Sequence, residues 1–197
     1  MDSNNTQRRR LTVLQNQIEP SACSDLVPAS LYGKYKNSLG SPPPMEYIDS
    51  EGNLVLRVLE PDDYSKGYLD LLSQLSTVGE ISELEFKKRF KELMAQRDTY
   101  FVFVVEDRLK QKLVACVTLF IELKFLHNCG AVGHVEDVVV DQAYRRHKLG
   151  KRLMEACKQK AAQFGCYKVI LDCTEKVISF YESCGFERKG VQMRVDL

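Results

Sequence analysis

The pattern of hydrophobic and polar positions divides the chain at about residue 50. The segment before this point is polar, its apolar side chains follow no long period, and it ends in the proline-rich run GSPPP. Such a segment buries too little apolar surface to offset the entropy lost on folding. We therefore predict a disordered N-terminal extension over residues 1–50 and one folded domain over residues 51–197.

Beyond this boundary, runs rich in β-branched and aromatic residues predict strands. The predicted strands are LVLRVLEP from Leu54, YFVFVVED, KLVACVTLFIEL, GHVEDVVV, CYKVILDC, and FERKGVQMRVDL as a last strand or strand pair. The run DRLKQK, between the second and third strands, predicts a hairpin turn.

Apolar residues at helical spacing predict four helices among these strands. The second of them starts at a capping box formed by Ser82 and Glu85. The order of elements predicts an α/β fold, with a mixed sheet and helices on its faces. The first helix is expected to follow a cap at Asp62 or Asp63 and to end at Gly79. The third is expected to run from about Leu149 to Gly165, and the fourth to end at Gly185.

Composition narrows the classes of function. The 28 lysines and arginines are balanced by 27 acidic residues, so the basic excess of a nucleic-acid-binding chain is missing. No apolar run approaches the roughly 20 residues that cross a bilayer, and no secretory signal is expected. The seven cysteines are odd in number and form no C-x-x-C pair. This pattern argues against a disulfide framework or a metal site, and favours a reducing, cytoplasmic location.

A basic loop, RRHK at residues 145–148, leads into the third helix. A helix N-terminus offers unpaired N–H groups and a partial positive charge, so an anion such as phosphate is favoured there. Gly150 would let the backbone approach such a ligand closely. From the residues alone, a phosphate site and a solvated basic turn remain equally open.

Two carboxylates, Glu136 and Asp137, lie beside the apolar run VVV. Because successive side chains of a strand point to opposite faces, the two are not expected to face one ligand together. A carboxyl group beside apolar residues can have a raised pKa, which suits a base near neutral pH. The alternative is that both form ion pairs at a strand end. We favour a functional role for at least one of them.

Several segments resemble a known family. RRHKLG, at residues 145–150, is similar to the Q/R-x-x-G-x-G/A acyl-CoA loop of the GNAT N-acetyltransferase superfamily. GHVEDVVV, GCYKVILDC and FYESCGF resemble, more narrowly, the glucosamine-6-phosphate N-acetyltransferase family. The likeness runs from about Leu54 to the C-terminus. It implies the GNAT fold, with a mostly antiparallel sheet, and transfer of an acetyl group from acetyl-CoA to the amine of glucosamine 6-phosphate, a step of UDP-N-acetylglucosamine biosynthesis.

The resemblance also implies catalytic roles. Glu136, acting through a water, is the expected base or amine-orienting group, with Asp137 as second choice. Tyr181 would donate to the departing thiolate, although its spacing alone favours a core aromatic. Acetyl-CoA would be the co-substrate, with no metal and no covalent enzyme intermediate. The residues implied for acetyl-CoA are Val138 (whose N–H would stabilise the oxyanion), Val139, Val140, Arg145, Arg146, His147, Lys148, Leu149, Gly150 and Lys151.

For the sugar phosphate, the resemblance implies residues from several segments and from a second subunit. A homodimer with shared active sites is therefore expected. Taken alone, His127 would be an exposed loop histidine and Lys168 a solvated strand end. The implied residues are Ser76, Lys124, Phe125, Leu126, His127, Glu136, Asp137, Tyr167, Lys168, Asp172 and Arg194.

Three positions depart from the family pattern. Lys148 stands at the first glycine of the loop, Val177 where many relatives have asparagine, and Asp196 where an arginine is usual, two residues after Arg194. These departures leave open a non-catalytic, CoA-binding dimeric relative. A GNAT enzyme that acts on another amine is a further alternative. Nucleic-acid binding through Arg8–Arg10 has weak support, because acidic residues of the same segment balance it.

Overall fold

A computed structural model describes residues 46–196. Within them, six strands form one sheet and lie side by side in chain order. Neighbouring strands are antiparallel except for β5 and β6, which are parallel. The predicted mixed, mostly antiparallel sheet is confirmed. The strands are β1 Glu46–Tyr47, β2 Leu54–Val58, β3 Tyr100–Asp107, β4 Lys112–Leu123, β5 Ala131–Val140 and β6 Cys166–Leu171.

Four longer helices cover the two faces of this sheet in the described part of the chain. They are α1 Tyr68–Ser73, α2 Glu83–Ala95, α3 Leu149–Gln163 and α4 Ile178–Ser183. Short 3-10 turns span Gln142–Tyr144 and Glu175–Val177, and a one-turn segment spans Leu126–Cys129. None of the helices between residues 46 and 196 has the length and apolar character needed to cross a membrane.

The two faces of the sheet bury separate apolar clusters. Beneath α3, Leu153, Cys157 and Ala161 pack with residues of β4 and β5. On the opposite face, Tyr68 of α1 and Phe86 of α2 pack with other residues of the same strands. The predicted capping box of α2 is confirmed. β5 therefore lies between two cores.

The first helix differs from its prediction at both ends. It begins at Tyr68 after Gly67, with no side-chain cap, and ends at Ser73 rather than near Gly79. The predicted cap at Asp62 or Asp63 is wrong. Asp63 is fully buried and accepts two hydrogen bonds from Arg57, at 2.7 and 2.8 Å. Its carboxylate is therefore engaged with β2 instead of the helix.

The predicted C-terminal strand is also not formed within the described residues. From residue 186 to residue 196 the chain forms no strand. Val191, Met193 and Val195 are 91%, 92% and 81% exposed. A strand needs a neighbour to pair its backbone, and this segment has none within the described part of this chain.

At the other end, the folded part begins earlier than the predicted boundary. Glu46–Tyr47 pairs with β2 and forms the edge of the sheet, so these residues belong to the fold. Residues 1–45 of the predicted extension, with Arg8–Arg10, lie outside the described residues.

Candidate active site

β5 carries a β-bulge at the two acids. Asp137 and Val138 together lie opposite one residue of β4, Val117, and Asp137 has a left-handed φ of 52°. The extra residue resets the alternation of side chains along the strand. Val135 and Val138 both pack against the core beneath α3, so Glu136 and Asp137 both lie off that face. The expectation that the acids occupy opposite faces is therefore wrong.

The two acids lie in different electrostatic surroundings. Glu136 is exposed, yet partial desolvation by the surrounding protein, together with the negative charges of Asp137 and Asp172, raises its pKa above the usual value. Asp172 follows the last residue of β6, so its charge reaches Glu136 across the two parallel strands. The charge of Asp137 adds to burial in raising the pKa of Tyr68, a residue of α1. A carboxylate with a raised pKa accepts a proton more readily than one with the usual pKa, which suits Glu136 to this role.

β5 and β6 stop pairing at the bulge. The parallel pairs run along Ala131–Val135, where β6 reaches Leu171, whereas β5 continues to Val140. Over Glu136–Val140, the edge of β5 that faces away from β4 has no strand partner among residues 46–196. Unpaired backbone of this kind can bind an extended ligand as an added strand. The structure thus leaves an unpaired strand edge at the valines predicted for the pantetheine arm.

The basic loop follows this strand edge in the chain, between β5 and α3. Its residues 145–148 are exposed, whereas Leu149 is buried in the core. Arg146 and Lys148 both have left-handed φ angles, of 74° and 59°. A Cβ added to Gly150 would meet the ring of Phe180 at 3.0 Å. The glycine therefore has a packing role against α4, which the sequence did not indicate.

Tyr181 of α4 lies in a groove with other predicted site residues. Burial, with smaller contributions from Cys173 and Cys184, raises the pKa of its phenol to about 12. The hydroxyl therefore stays protonated at neutral pH and can donate a hydrogen bond. A groove of about 750 Å³ is lined by Tyr181, Asp172 and Lys168, among others.

Two segments predicted for the sugar meet at the start of β6. The ring of His127 lies 4.0 Å from that of Tyr167, centroid to centroid, and Lys168 Nζ lies 5.7 Å from the Tyr167 centroid. Phe125 and Leu126 are 96% and 67% exposed. The Lys124 side chain forms an ion pair with Glu122. The structure thus brings the run KFLH and the run CYK together.

Ser76 and Arg194 lie apart from these groups. Ser76 follows α1, where its N–H donates to the Leu72 carbonyl at 3.1 Å. Arg194 is exposed and pairs with Asp196, two residues along. Among the described residues, neither side chain bonds to the acids or to the groove.

His134 was not singled out by sequence, although it lies near Glu136. Its Nε2 atom is 2.9 Å from Glu122 Oε2. When protonated, His134 lowers the pKa of Glu136, but this effect is smaller than those that raise it. Alternate residues of a strand lie on one face, so the run GHVED could have indicated that His134 lies beside Glu136.

Comparison with known proteins identifies the family. The acetyltransferase (GNAT) family model matches residues 65–186. The chain belongs to this family. It is 46% identical over 153 residues to glucosamine 6-phosphate N-acetyltransferase 1 of Dictyostelium discoideum, which covers 78% of this chain and 96% of the relative. The glucosamine 6-phosphate N-acetyltransferase of Arabidopsis thaliana is 43% identical over 138 residues, which is 70% of this chain and 93% of the relative.

A solved structure agrees with this assignment. The crystal structure of glucosamine-6-phosphate N-acetyltransferase from Arabidopsis thaliana matches with a TM-score of 0.72 and 41% identity, over 73% of this chain and 97% of that one. The predicted GNAT fold is confirmed.

In this acetyltransferase, the residue of the basic loop that departs from the family pattern is under strain. Lys148 caps α3 with φ 59° and ψ 16°, a conformation that glycine adopts without steric cost. We expect Lys148→Gly to raise the free energy of unfolding by about 0.5–1 kcal/mol, because the left-handed strain of roughly 1–2 kcal/mol exceeds the entropic cost of glycine. Urea denaturation measures the change.

The matched control is Lys151→Gly, in the first turn of α3. There the backbone is helical, so glycine should lower the stability by up to about 1 kcal/mol. Equal destabilisation by both substitutions would contradict the assignment of strain to Lys148.

Proposed function

We infer that the protein transfers the acetyl group of acetyl-CoA to the amine of glucosamine 6-phosphate, giving N-acetylglucosamine 6-phosphate and CoA. The observation that carries this inference is the 46% identity over 96% of the length of a glucosamine 6-phosphate N-acetyltransferase. The GNAT family match and the unpaired edge of β5 that starts at Glu136 agree with it.

The proposed chemistry needs a base, a hydrogen-bond donor to the oxyanion and a hydrogen-bond donor to the departing sulfur. Glu136 accepts a proton from the sugar amine, directly or through a water, and its raised pKa supports this role. The amine nitrogen bonds to the acetyl carbon and the carbon–sulfur bond breaks. The N–H of Val138, in the bulge, stabilises the negative charge that develops on the carbonyl oxygen. Tyr181 donates a hydrogen bond to the departing sulfur. The proton that Glu136 accepted passes through solvent to the thiolate, so CoA leaves as the thiol and the carboxylate is restored.

Acetyl-CoA is the co-substrate. The unpaired edge of Val138–Val140 is proposed to hold its pantetheine arm. The loop of residues 145–151 is proposed for the pyrophosphate, since exposed cations and the N-terminus of a 15-residue helix meet there. A metal has no role in this proposal, so the rate should not change in EDTA.

A homodimer with shared sites is proposed for the sugar phosphate. The apolar side chains of Val191, Met193 and Val195 are almost fully exposed in the single chain, and Arg194 between them reaches no site residue. A second subunit would bury these side chains and would bring such a cation to a site. Sedimentation equilibrium of the full chain tests the dimer. The sugar residues proposed are Ser76, Lys124, Phe125, Leu126, His127, Tyr167, Lys168, Asp172 and Arg194, with the two acids.

A cytoplasmic location is proposed from the cysteine pattern of the sequence. The seven cysteines are odd in number and include no C-x-x-C pair, which is usual in a reducing compartment. Cell fractionation followed by detection of the full chain tests this location.

Thiol release from acetyl-CoA tests the reaction. The acceptors are glucosamine 6-phosphate, glucosamine and a lysine-containing peptide. We expect the fastest release with glucosamine 6-phosphate and slower release with glucosamine, because the phosphate contributes binding. Release with the peptide alone would mean a different acceptor. CoA binding without release would mean a non-catalytic relative.

Tyr181→Phe is expected to lower kcat by about 10- to 100-fold. The affinity for acetyl-CoA should stay nearly unchanged, because the lost hydrogen bond forms only as the thiolate leaves. Steady-state rates and calorimetric binding of CoA measure the two effects. Tyr100→Phe, which alters a tyrosine stacked on Phe120 at 5.0 Å, is the control and should keep the wild-type kcat. An unchanged kcat in Tyr181→Phe would remove this residue from the mechanism.

A further inference from the structure

A buried carboxylate fixes the start of the turn that leads into the basic loop. Asp141, which caps the turn Gln142–Tyr144, is 5% exposed. Its carboxylate accepts a hydrogen bond from the N–H of Ala143 at 2.9 Å and another from Lys112 Nζ at 2.7 Å. Because Lys112 is the first residue of β4, this contact ties the turn to the sheet.

A second buried carboxylate holds the end of the same turn. Asp107, the last residue of β3, is 7% exposed and accepts a hydrogen bond from the Tyr144 hydroxyl. Lys110 Nζ donates to the same hydroxyl at 2.7 Å and lies 3.7 Å from the Asp107 carboxylate. Hydrogen bonds to a charged group are stronger than neutral ones. The hairpin between β3 and β4 therefore fixes the phenol.

Tyr144 also contacts the basic loop. Its carbonyl oxygen lies 3.1 Å from His147 Nδ1, and the two rings are 6.1 Å apart. On either side of His147, Arg146 and Lys148 have left-handed φ angles of 74° and 59°. Such strained residues persist only where the surroundings determine their conformation. The loop is exposed between two fixed points, Tyr144 before it and the buried Leu149 after it.

We propose that Tyr144 and Asp107 form a positioning pair for acetyl-CoA. Their hydrogen bond holds the basic loop, before the ligand arrives, in the conformation that binds the pyrophosphate. The inference rests on the proposed function, which assigns the ligand of the loop. Neither residue needs to touch the ligand. A preformed loop loses less entropy on binding, so the pair acts on the affinity for acetyl-CoA and not on the chemical step.

Tyr144→Phe tests the pair, because it keeps the ring and removes the hydroxyl. In the full chain we expect the Kd of CoA, measured by calorimetry, and the KM of acetyl-CoA to rise roughly five- to tenfold. The kcat and the KM of glucosamine 6-phosphate should stay within about twofold. Asp107→Asn should weaken CoA binding in the same direction. The double variant should be no weaker than the worse single variant, because both act through one hydrogen bond.

The matched control is Tyr64→Phe. It removes a hydroxyl that donates to the Ile81 carbonyl at 3.3 Å, in the segments that flank α1 and α2. It should leave the KM of acetyl-CoA unchanged.

Additive losses in the double variant, an equal rise of both KM values, or an unchanged Kd in Tyr144→Phe would overturn the positioning pair. A wild-type chain that binds CoA but acetylates no sugar would instead overturn the proposed reaction. The calorimetric Kd values would still decide on Tyr144 and Asp107.

Discussion

Glu136→Gln should reduce kcat/KM for glucosamine 6-phosphate by about 100- to 1000-fold. The amide keeps the size and shape of the carboxylate but cannot accept a proton, and general-base catalysis typically contributes roughly 10²- to 10⁴-fold. Partial desolvation and the charges of Asp137 and Asp172 raise the pKa of Glu136, so its proton is lost at a pH above the usual value of about 4.3. Steady-state thiol release measures the loss.

The pH profile separates a base from a structural acid. Glu136 works when deprotonated, so the wild-type kcat/KM should fall as the pH drops through its raised pKa. In Glu136→Gln this part of the fall should disappear, and any fall that remains reports protonation of the sugar amine itself. Rates measured from about pH 5 to pH 9 give both profiles.

Two further variants test whether the loss of rate is specific to Glu136. Asp137→Asn should reduce the rate less than Glu136→Gln, and the reverse order would make Asp137 the base. Glu155→Gln removes an exposed carboxylate of α3 that pairs with Lys158 at 2.9 Å, and it should leave the rate unchanged. A Glu136→Gln enzyme that keeps the wild-type rate and profile would refute the assignment.

Arg57→Met is expected to destabilise the fold by about 3–5 kcal/mol. Arg57 is 5% exposed and donates to the fully buried Asp63 at 2.7 and 2.8 Å and to Glu106 at 2.9 Å. Removing one partner of a buried ion pair leaves an uncompensated charge in a poorly solvated place. Here two carboxylates would share the single remaining cation of Lys66, which lies 2.9 Å from Glu106. Urea denaturation measures the loss.

The control is Arg89→Met, which breaks the exposed Arg89–Glu92 pair on α2, with atoms 2.9 Å apart. Exposed pairs typically contribute less than about 1 kcal/mol, so this variant should remain close to wild type. If Arg57→Met cost no more than Arg89→Met, the buried network would not contribute to stability.

The same network predicts acid sensitivity. Burial alone would raise the pKa of Glu106, but hydrogen bonds from Lys66 and Arg57 outweigh it and lower that pKa. The stability contributed by Glu106 is therefore fully present above its unfolded pKa of roughly 4.3. It is lost as the pH falls from that value through the lower pKa of the folded state. In Arg57→Met this dependence should weaken, because one of the two donors is gone.

The elements that the sequence predicted well are those that depend on local pattern. The capping box at Ser82 and the limits of α3 follow from neighbouring residues, and the strands follow from short apolar runs. The predicted cap of the first helix is wrong because of a contact between residues of different elements. Asp63 is close to that helix in sequence, but its carboxylate is engaged by Arg57 of β2, and such a pairing carries no local signal.

The site was predictable in its residue types but not in its geometry. The acids, the basic loop and Tyr181 were visible as motifs. That Glu136 and Asp137 share a face depends on a bulge, which only the register between β4 and β5 reveals. The strain at Lys148 likewise depends on a φ angle. The last strand was predicted from its residue types, yet residue types do not supply a neighbouring strand.

Gly150 links the two ends of the proposed site mechanically. The Cβ that it lacks would lie 3.0 and 3.3 Å from two atoms of the Phe180 ring, and that ring packs edge-on against Tyr181 at 4.9 Å. A larger residue in the loop proposed for the phosphates would therefore crowd the ring that packs against Tyr181. At this one position, the proposed phosphate site and the proposed donor to sulfur cannot evolve independently.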